Sequence, residues 1–450
     1  MQRLQVDQNY TAVSGQCLML RQVLFAEVGG FEDQLQPWAD VDLCMKTQQA
    51  GYLNVWTPRV QMLVGESDHT PATPEQEDRL FDRWLPVLAR DRASNPNFSS
   101  VREGVFTYAV SSLSWRPLSI CKSVPTIVAH PADQAGSGLH RIIQPFNAMR
   151  DLGLIDGVQT ADLLSMVDLE RYAPDVILLQ RQVSDGHLDA MRRMKSFSRA
   201  FKVYDLDAYL PDLTVSSPHN SQLPGDVLGA LRRALSYMDR LVVPTDFMAQ
   251  VFEGFNADIR VVKNRLDPRC WDGLQGKRRC ADKPRVGWAG GLNNIAELEV
   301  VADVIKALAN EVHWVILGAC PEHLQPFVHE FHKDVAIDLY PARLASLNLD
   351  LALAPLEDSL FNRCKSNVRV LEYGACGVPV ICSNLEPYRD GLPVKRVDNR
   401  FESWVGAIRA HADDLDAAAA LGDYLQACVR HDWMLDGAAL AAWRDSWLGQ

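Results

Sequence analysis

The chain has 450 residues and a formal net charge of −12, with 47% hydrophobic and 23% charged residues. This composition is ordinary for a globular protein with large buried cores, and the length favours about three domains. The acidic balance argues against a protein whose main task is to hold nucleic-acid phosphates. No run approaches the roughly 20 apolar residues that span a bilayer, so any membrane contact is expected to be peripheral.

The cysteines are scattered along the chain and form no Cys-x-x-Cys pair. Such usage is typical of reduced, mostly buried thiols, and it predicts neither a disulfide framework nor a zinc site. The first residues, MQRLQVDQNYTAVSG, contain no apolar core of the signal-peptide type. The sequence therefore predicts a cytoplasmic protein whose membrane contact, if any, is peripheral and at the inner face.

Residues 1–100 differ in composition and hydrophobic pattern from the rest of the chain. They contain short apolar runs, a tight Gly29-Gly30 turn and an acidic segment rich in tryptophan. They close on DRASNPNFSS, a polar stretch whose residues favour turns. Residues 101–123 follow as a predicted linker, so the chain is expected to divide here.

From Pro125 onward, strand-like and helix-like segments alternate. The apolar run TIVAHP is followed by the loop DQAGSG and the helical segment HRIIQPFNAMRDLGL, and further strand-like runs are VILLQ, KVYDLD and RLVVPT. The pattern begins again after Asn264 with RVGWAGG, AELEVVADVIKALAN and HWVILGA. Alternation of this kind predicts parallel sheets covered by helices.

The two alternating blocks predict an α/β fold with two Rossmann-like lobes that face each other across a cleft. The N-terminal lobe is expected at 124–262 and the C-terminal lobe at 263–430. A helical tail is expected at 431–450, and Val262-Lys263-Asn264-Arg265 is the expected hinge between the lobes. Ligands of such sheets bind at the carboxyl ends of the strands, so the loops there are the candidate sites.

The stretch FNRCKSNVRVLEYGACGVPVICS, residues 361–383, combines features that suit a nucleotide-sugar. Its middle is predicted to be a helix, whose N-terminus offers unpaired N–H groups and a positive dipole end to a phosphate. Lys365 and Ser366 add a charge and a hydroxyl there. Glu372, about two turns further on, can accept hydrogen bonds from sugar hydroxyls. The alternative is a solvated lysine and a surface glutamate on an amphipathic helix.

Residues from about 125 to 447 resemble the GT-B-fold glycosyltransferases of family 4 and its relatives, since LEYGACGVPVICS is similar to that family's C-lobe signature. The resemblance implies that Glu372 holds the nucleotide ribose and that the reaction retains the anomeric configuration. Cys364 stands where the family has a partner glutamate, eight positions before Glu372. Lys365 beside it is expected to contact phosphate instead.

Two glycine turns are expected to border the donor. RVGWAGGLNN resembles the first strand and turn of the family's C-lobe. There Gly290 and Gly291 would let the backbone approach a phosphate, and Asn293-Asn294 occupy the place of the usual Arg and Lys. Asn294 is expected to contact the donor. In the N-lobe, Gly138 and the following Arg141 are expected to do the same; an ordinary glycine turn is the alternative.

The first hundred residues resemble a different class of enzyme. AVSGQCLMLRQVLFAEVGGFEDQLQPWADVDLCMKTQQAGYLNVWTP is similar to the acceptor-side half of a family 2, GT-A-fold glycosyltransferase. The resemblance places Asp40 at the catalytic base, with Ala39 in place of the usual glutamate and Val64-Gly65 in place of a histidine. The resemblance implies that a nucleotide-binding half, with an Asp-x-Asp motif, should precede this segment, whereas the sequence starts at Met1. We therefore expect a truncated remnant or a fragment of a longer chain, in which Asp40 is inactive and the segment is a structural platform.

These observations predict a bacterial-type, hexosyltransferase-like glycosyltransferase of polysaccharide or O-antigen assembly, which moves a sugar from a nucleotide-sugar to a glycan or lipid-linked acceptor. Lys365 and Glu372 are its expected catalytic residues, and Lys365 is expected to stabilise the leaving diphosphate. No metal, other cofactor or nucleic-acid partner is expected. Two alternatives stay open. One is a non-catalytic scaffold that binds glycan or partner enzymes. The other is a nucleotide-sugar epimerase of the same architecture, which needs a paired carboxylate and histidine in the cleft.

Overall fold

The computed structural model describes residues 5–60, 72–91, 124–212 and 224–449. The predicted linker 101–123 and the Val64-Gly65 pair lie outside the described residues. By its internal contacts the chain forms two compact units. The first unit contains the described residues up to 91 together with 162–174 and 190–200, and the second contains the remainder. In the described ranges, no helix is both long and apolar enough to cross a membrane.

The first unit is a small α/β structure with a short antiparallel sheet, in which β1 (Gln8–Tyr10) pairs with β2 (Asn54–Trp56). Its helices are α1 (Gln22–Glu27), α2 (Ala39–Gln49), α3 (Pro74–Ala89) and the later segment Met166–Tyr172. Helix α3 begins with a capping box, in which the side chains of Thr73 and Gln76 accept hydrogen bonds from each other's backbone N–H groups. Met45, Leu80 and Trp84 form a buried cluster between α2 and α3.

The N-terminal lobe belongs to the second unit and is built on a parallel sheet. Its strands are β3 (Thr126–His130), β4 (Asp156–Gln159), β5 (Val176–Gln180), β6 (Phe201–Asp205), β7 (Arg240–Val243) and β8 (Ile259–Val261). In chain order the helices between them are α4 (Gly136–Gly138), α5 (Gln144–Asp151), α6 (Met166–Tyr172), α7 (Asp185–Phe197), α8 (Val227–Ser236) and α9 (Asp246–Val251), with a π-helical turn at Leu139–Ile143. Of these, α6 and the part of α7 from residue 190 onward belong to the first unit. The strand order is β4-β3-β5-β6-β7-β8. Strand β5 is buried over its whole length, as expected of a parallel strand covered on both faces.

The C-terminal lobe contains a second parallel sheet. Its strands are β9 (Arg285–Gly290), β10 (His313–Gly318), β11 (Glu330–His332), β12 (Leu351–Ala354), β13 (Val380–Ser383) and β14 (Lys395–Val397). Its helices are α10 (Pro268–Trp271), α11 (Ile295–Glu299), α12 (Ala302–Ala307), α13 (Tyr340–Ser346), α14 (Leu360–Arg363), α15 (Val368–Ala375), α16 (Phe401–Asp413) and α17 (Leu415–Asp432). The order β11-β10-β9-β12-β13-β14 is that of a doubly wound sheet, and it reverses between β9 and β12.

The predicted tail forms helix α18 (Gly437–Trp447), which returns to the N-terminal lobe. Trp443 and Trp447 are fully buried in the hydrophobic core that contains Ile127 of β3 and Leu178 of β5. The last helix of the chain therefore completes the first lobe. The prediction of an α/β fold with two Rossmann-like lobes is confirmed.

Candidate active site

The candidate site lies at the carboxyl ends of β9 and β12, where the strand order of the C-lobe reverses and a crevice for ligands is expected. Strand β9 ends at Gly290, and the loop after β12 leads through α14 to α15. A Cβ atom on Gly290 would lie 2.5 Å from the Trp288 ring and 3.1 Å from Nη1 of Arg369, so a side chain does not fit there. Gly291 has room for a side chain among the described residues. Only Gly290 is therefore required by close packing.

The centre of the site is a carboxylate that two cations share. Glu297, on α11, lies 3.1 Å from Nζ of Lys365 and 2.6 Å from Nη1 of Arg369. Nδ2 of Asn294 donates a hydrogen bond to the same carboxylate at 2.8 Å. The side chain of Glu297 is 6% exposed, whereas Lys365 is 25% and Arg369 is 16% exposed, so the carboxylate lies behind the cations. Two cations against one carboxylate leave the cluster with a net positive charge.

Aromatic rings support both cations. The guanidinium of Arg369 lies over the Trp288 ring at 5.2 Å, and Nζ of Lys365 is 5.2 Å from the centroid of Phe361. Burial lowers the pKa of Lys365, and the ion pair with Glu297 opposes this effect. Helix α15 begins just after Lys365 and presents the N–H groups of its first turn at the same place. The arrangement suits an anion with more than one charge, such as a diphosphate.

Glu372 lies on the same helix, and its side chain is 12% exposed. Burial raises the pKa of Glu372 to about 7, although Arg369 favours the ionised form. The hydroxyl of Tyr340 donates to Oε2 of Glu372 at 3.2 Å, and Nε2 of His140, from the N-lobe, is 3.9 Å from Oε1. Burial lowers the pKa of His140 to about 4, so this imidazole is neutral near pH 7. A neutral histidine and a partly ionised carboxyl group therefore face each other between the lobes.

The predicted hinge contacts both lobes. Nδ2 of Asn264 donates to Oγ of Ser366 at 2.8 Å, and Oδ1 of Asn264 accepts from Nη1 of Arg141 at 2.9 Å. Nζ of the neighbouring Lys263 lies 2.7 Å from Oδ1 of Asp390. Ser366 precedes α15, so the hinge is hydrogen-bonded directly to the loop that carries Lys365. Any rotation of the lobes about Asn264 must move or break these contacts.

The position of Arg141 corrects a prediction. Its guanidinium is completely buried, and Nε and Nη2 donate to the two carboxylate oxygens of Asp205 at 3.1 and 2.7 Å. Nη1 donates to the carbonyl of Val262 and to Asn264, and the Trp443 ring lies 4.5 Å away. A side chain with these partners and no exposed surface does not contact a donor. Arg141 instead ties the N-lobe to the hinge and to the C-terminal helix.

Only a glycine fits sterically at position 138, in the glycine loop of the N-lobe. A Cβ atom at this position would lie 1.9 Å from the carbonyl oxygen of Asp133, and the N–H of Gly138 donates to Oδ1 of Asp133 at 3.0 Å. The other oxygen of Asp133 is 3.7 Å from Nη1 of Arg181, whose guanidinium also pairs with Asp207. These contacts fix the loop after β3. The contact of Gly138 with a donor stays a prediction.

In the first unit, Asp40 and Asp42 both have structural partners. Oδ2 of Asp40 accepts from the N–H of Gly15 at 2.7 Å, and Oδ1 accepts from the next residue's N–H at 2.8 Å. Asp42 is fully buried, where Oδ1 accepts from Nε1 of Trp84 at 2.8 Å and Oδ2 lies 2.6 Å from Nζ of Lys46. Asp40 thus joins the loop around Gly15 to the first turn of α2. Its expected inactivity as a base stays a prediction.

Glu297, Arg369 and Tyr340 are site residues that sequence reasoning missed. Arg369 follows Lys365 by four positions, and this helical spacing is a signal that it shares a face with Lys365. Glu297 is 68 residues from Lys365, and Tyr340 is 32 residues from Glu372, so only the tertiary fold brings each pair together. Within the described ranges, no group of three or more His, Cys, Asp or Glu side chains is arranged to hold a metal ion.

Comparison with known sequences yields partial matches. No protein-family model matches the chain. An uncharacterized protein of Sinorhizobium fredii, y4gI, is 36% identical over 124 residues, which are 25% of this chain and 13% of that protein. The N-acetylglucosaminyl-diphospho-decaprenol L-rhamnosyltransferase of Mycobacterium tuberculosis is 30% identical over 83 residues, 18% of this chain and 27% of that protein. The chain therefore spans less than a third of the length of either relative.

Comparison with solved structures concerns the fold. Sucrose-phosphate synthase from Thermosynechococcus elongatus aligns with a TM-score of 0.52 and 12% identity, over 70% of this chain and 97% of that chain. At this identity the similarity shows a common fold and no more. The two parallel-sheet lobes therefore have the GT-B architecture.

Proposed function

We propose that this protein is a glycosyltransferase that uses a nucleotide-sugar donor. The observation that carries the proposal is the meeting of Lys365, Arg369 and Glu372 at the point where the strand order of the C-lobe reverses. Two cations beside a helix N-terminus suit a diphosphate, and a carboxylate further along the helix suits ribose hydroxyls. The GT-B fold, shared with a sucrose-phosphate synthase, supports this assignment.

The remaining predicted residues have roles around this centre. Gly290 and Gly291 would let the backbone approach the donor, and Asn294 acts through its hydrogen bond to Glu297. Ser366 would donate to a phosphate oxygen while accepting from Asn264. Gly138 of the N-lobe would approach the donor from the opposite side of the cleft.

In the proposed reaction, the bond between the anomeric carbon and a diphosphate oxygen breaks, an acceptor oxygen bonds to the anomeric carbon, and the acceptor's proton passes to the departing diphosphate. Negative charge grows on the departing diphosphate. Lys365, Arg369 and the first N–H groups of α15 are already oriented toward that charge, so they stabilise it without reorganisation. The family 4 resemblance adds retention of configuration to the proposal.

We assign the acceptor to the glycan or lipid-linked class, in bacterial polysaccharide or O-antigen assembly. The match to a mycobacterial rhamnosyltransferase supports the family 2 resemblance of the N-terminal segment. That segment is proposed to be a structural platform. The proposed location is the cytoplasm, with peripheral contact at the inner face of the membrane.

A second candidate function, that of a nucleotide-sugar epimerase, is favoured by a histidine and a carboxyl group in the cleft. His140 and Glu372 face each other across the cleft at 3.9 Å, and a nucleotide-sugar epimerase of this architecture needs such a pair. A non-catalytic scaffold is the third candidate. It is favoured by Cys364, which is fully buried where the family resemblance has a glutamate.

One experiment separates the three candidates. The protein is incubated with UDP-, GDP-, ADP- and dTDP-sugars without acceptor, and the products are followed by NMR. A transferase releases nucleoside diphosphate and free sugar as water replaces the acceptor, whereas an epimerase forms a second nucleotide-sugar. We expect slow release of one nucleoside diphosphate, which Glu372→Gln abolishes. A protein that binds and consumes none of these donors contradicts the enzyme proposal.

A further inference from the structure

Glu297 is a buried carboxylate in a site that is proposed to bind an anion. A negative charge there repels a diphosphate, so its presence needs a physical reason. Its contacts supply one, since the same carboxylate lies 3.1 Å from Nζ of Lys365 and 2.6 Å from Nη1 of Arg369. These two cations would otherwise repel each other in a half-buried place.

We propose, resting on the function proposed above, that Glu297 is a positioning residue for the donor diphosphate. It holds the ammonium of Lys365 and the guanidinium of Arg369 side by side, in front of its own carboxylate, so that both cations meet the two phosphates of one ligand. Asn294 fixes the carboxylate by donating to Oε1 at 2.8 Å. Because α11 and α15 follow β9 and β12, the contact also locks together the two loops that form the crevice.

The electrostatics of Lys365 give this role a measurable consequence. Burial and the charge of Arg369 both lower the pKa of Lys365, and the ion pair and hydrogen bond with Glu297 raise it. Without the carboxylate, the two lowering effects act alone. Lys365 then loses its proton at a lower pH, and a neutral amine is a poor partner for phosphate.

There is a pH range in which the other titratable groups of the cluster keep a constant charge, so that the titration of Lys365 can be measured. Glu297 and Arg369 face Lys365 directly. Arg369 is also faced by Glu372, whose pKa burial raises to about 7, and by three tyrosines whose pKa values burial raises, Tyr340, Tyr373 and Tyr388. From about pH 8 to 9.5 the tyrosines stay neutral and Glu372 stays ionised. The second ionisation of a phosphate, near pH 6, is also complete there.

The first measurement needs no ligand. Competitive labelling of lysine amines across pH, read by mass spectrometry, gives the pKa of Lys365 in the parent chain and in Glu297→Gln. We expect a lower pKa in the variant. Glu299→Gln is the matched control, since Glu299 lies on the same helix but is half exposed and pairs with His323. If Glu297→Gln does not fold, Glu297→Asp keeps the charge on a shorter side chain and should give an intermediate pKa.

The second measurement connects the charge to the ligand. Calorimetric titration with UDP, GDP, ADP and dTDP selects the diphosphate that binds the parent chain, and its affinity is then followed from about pH 8 to 9.5. We expect the affinity to fall more steeply across this range for Glu297→Gln, by roughly tenfold, than for the parent chain and for Glu299→Gln. Adding Lys365→Arg to Glu297→Gln should make the profile flat, because a guanidinium stays charged throughout.

The outcomes separate this inference from the proposed function. An unchanged pKa of Lys365 in Glu297→Gln, or an affinity loss that is equal at every pH, overturns the positioning role while leaving a nucleotide-binding protein. A parent chain that binds none of the diphosphates at any pH rejects the proposed function, and the role of Glu297 in phosphate binding with it.

Discussion

The acidic side chains of the first unit and those of the C-lobe have similar chemistry and different surroundings. Asp42 is fully buried and pairs with both Lys46 and Arg83, and Glu32, 3.6 Å from Arg83, balances the second cation. Both oxygens of Asp40 accept backbone hydrogen bonds. In the C-lobe, Glu297 pairs with two cations, and burial raises the pKa of the nearby Glu372 to about 7, so the cluster has a surplus positive charge while Glu372 is protonated. A locally balanced carboxylate stabilises a fold, whereas an unbalanced cluster retains affinity for a ligand.

The largest expected effect is the loss of stability on removing Asp42, the carboxylate whose charge is balanced by its neighbours. Asp42→Ala leaves Lys46 and the indole N–H of Trp84 without their buried partner, and should destabilise the first unit by about 3–5 kcal/mol. Hydrogen exchange of α2 and α3 measures this loss. Asp33→Ala, at an exposed carboxylate of the same unit, is the control and should change little. Equal rates of hydrogen exchange in the two variants would mean that Asp42 does not stabilise the first unit.

Glu372 should lower the free energy of unfolding as pH rises, whereas an ion-paired acid raises it. Its pKa is about 7 in the folded state and near the ordinary 4.5 when unfolded, so the folded state holds more protons between these values. Stability of the second unit should fall by about 2 kcal/mol as pH rises through this window. Glu372→Gln should flatten the profile in urea unfolding at pH 5 and 7.5. A Gln variant with the parent's slope would show that another group is responsible.

The hinge contacts predict a smaller effect. Donor binding should close the lobes about Asn264, and the radius of gyration in small-angle scattering should fall at saturating nucleoside diphosphate. Asn264→Ala removes the hydrogen bonds to Arg141 and Ser366, so diphosphate affinity should fall by roughly tenfold or less. Free nucleoside is the control ligand. Scattering that is unchanged by a bound diphosphate would count against a closing site.

The smallest expected effect concerns Asp40. Asp40→Asn keeps the shape of the side chain and loses one acceptor for a backbone N–H group, so stability should change by about 1 kcal/mol or less. Sugar transfer and diphosphate binding should equal those of the parent chain. A large fall in transfer rate with an intact fold would show that the first unit is catalytic.

The comparison also shows what the sequence could predict. The two parallel sheets could be predicted from the alternation of strands and helices, because this alternation is visible in the local periodicity of the sequence. The pairing of Lys365 with Glu297 was not predictable, because its partners lie on helices that follow different strands. The turn that contains Asn293 and Asn294 is followed by Glu297, and the segment that contains Cys364 carries Lys365 and Arg369. Burial of Arg141 was equally invisible, since a glycine loop followed by arginine looks the same whether the guanidinium faces ligand or core.

The most direct test of the account is calorimetric titration of the parent chain and Lys365→Ala with a nucleoside diphosphate and its free nucleoside. Lys306→Ala, at a more exposed lysine of the same lobe, is the control. Charge-assisted hydrogen bonds contribute about 1.5–3 kcal/mol each, so Lys365→Ala should weaken diphosphate binding by roughly ten- to a hundredfold and leave nucleoside binding unchanged. If Lys365→Ala binds the diphosphate as tightly as the parent chain does, the phosphate site is not at the start of α15 and the central claim is wrong.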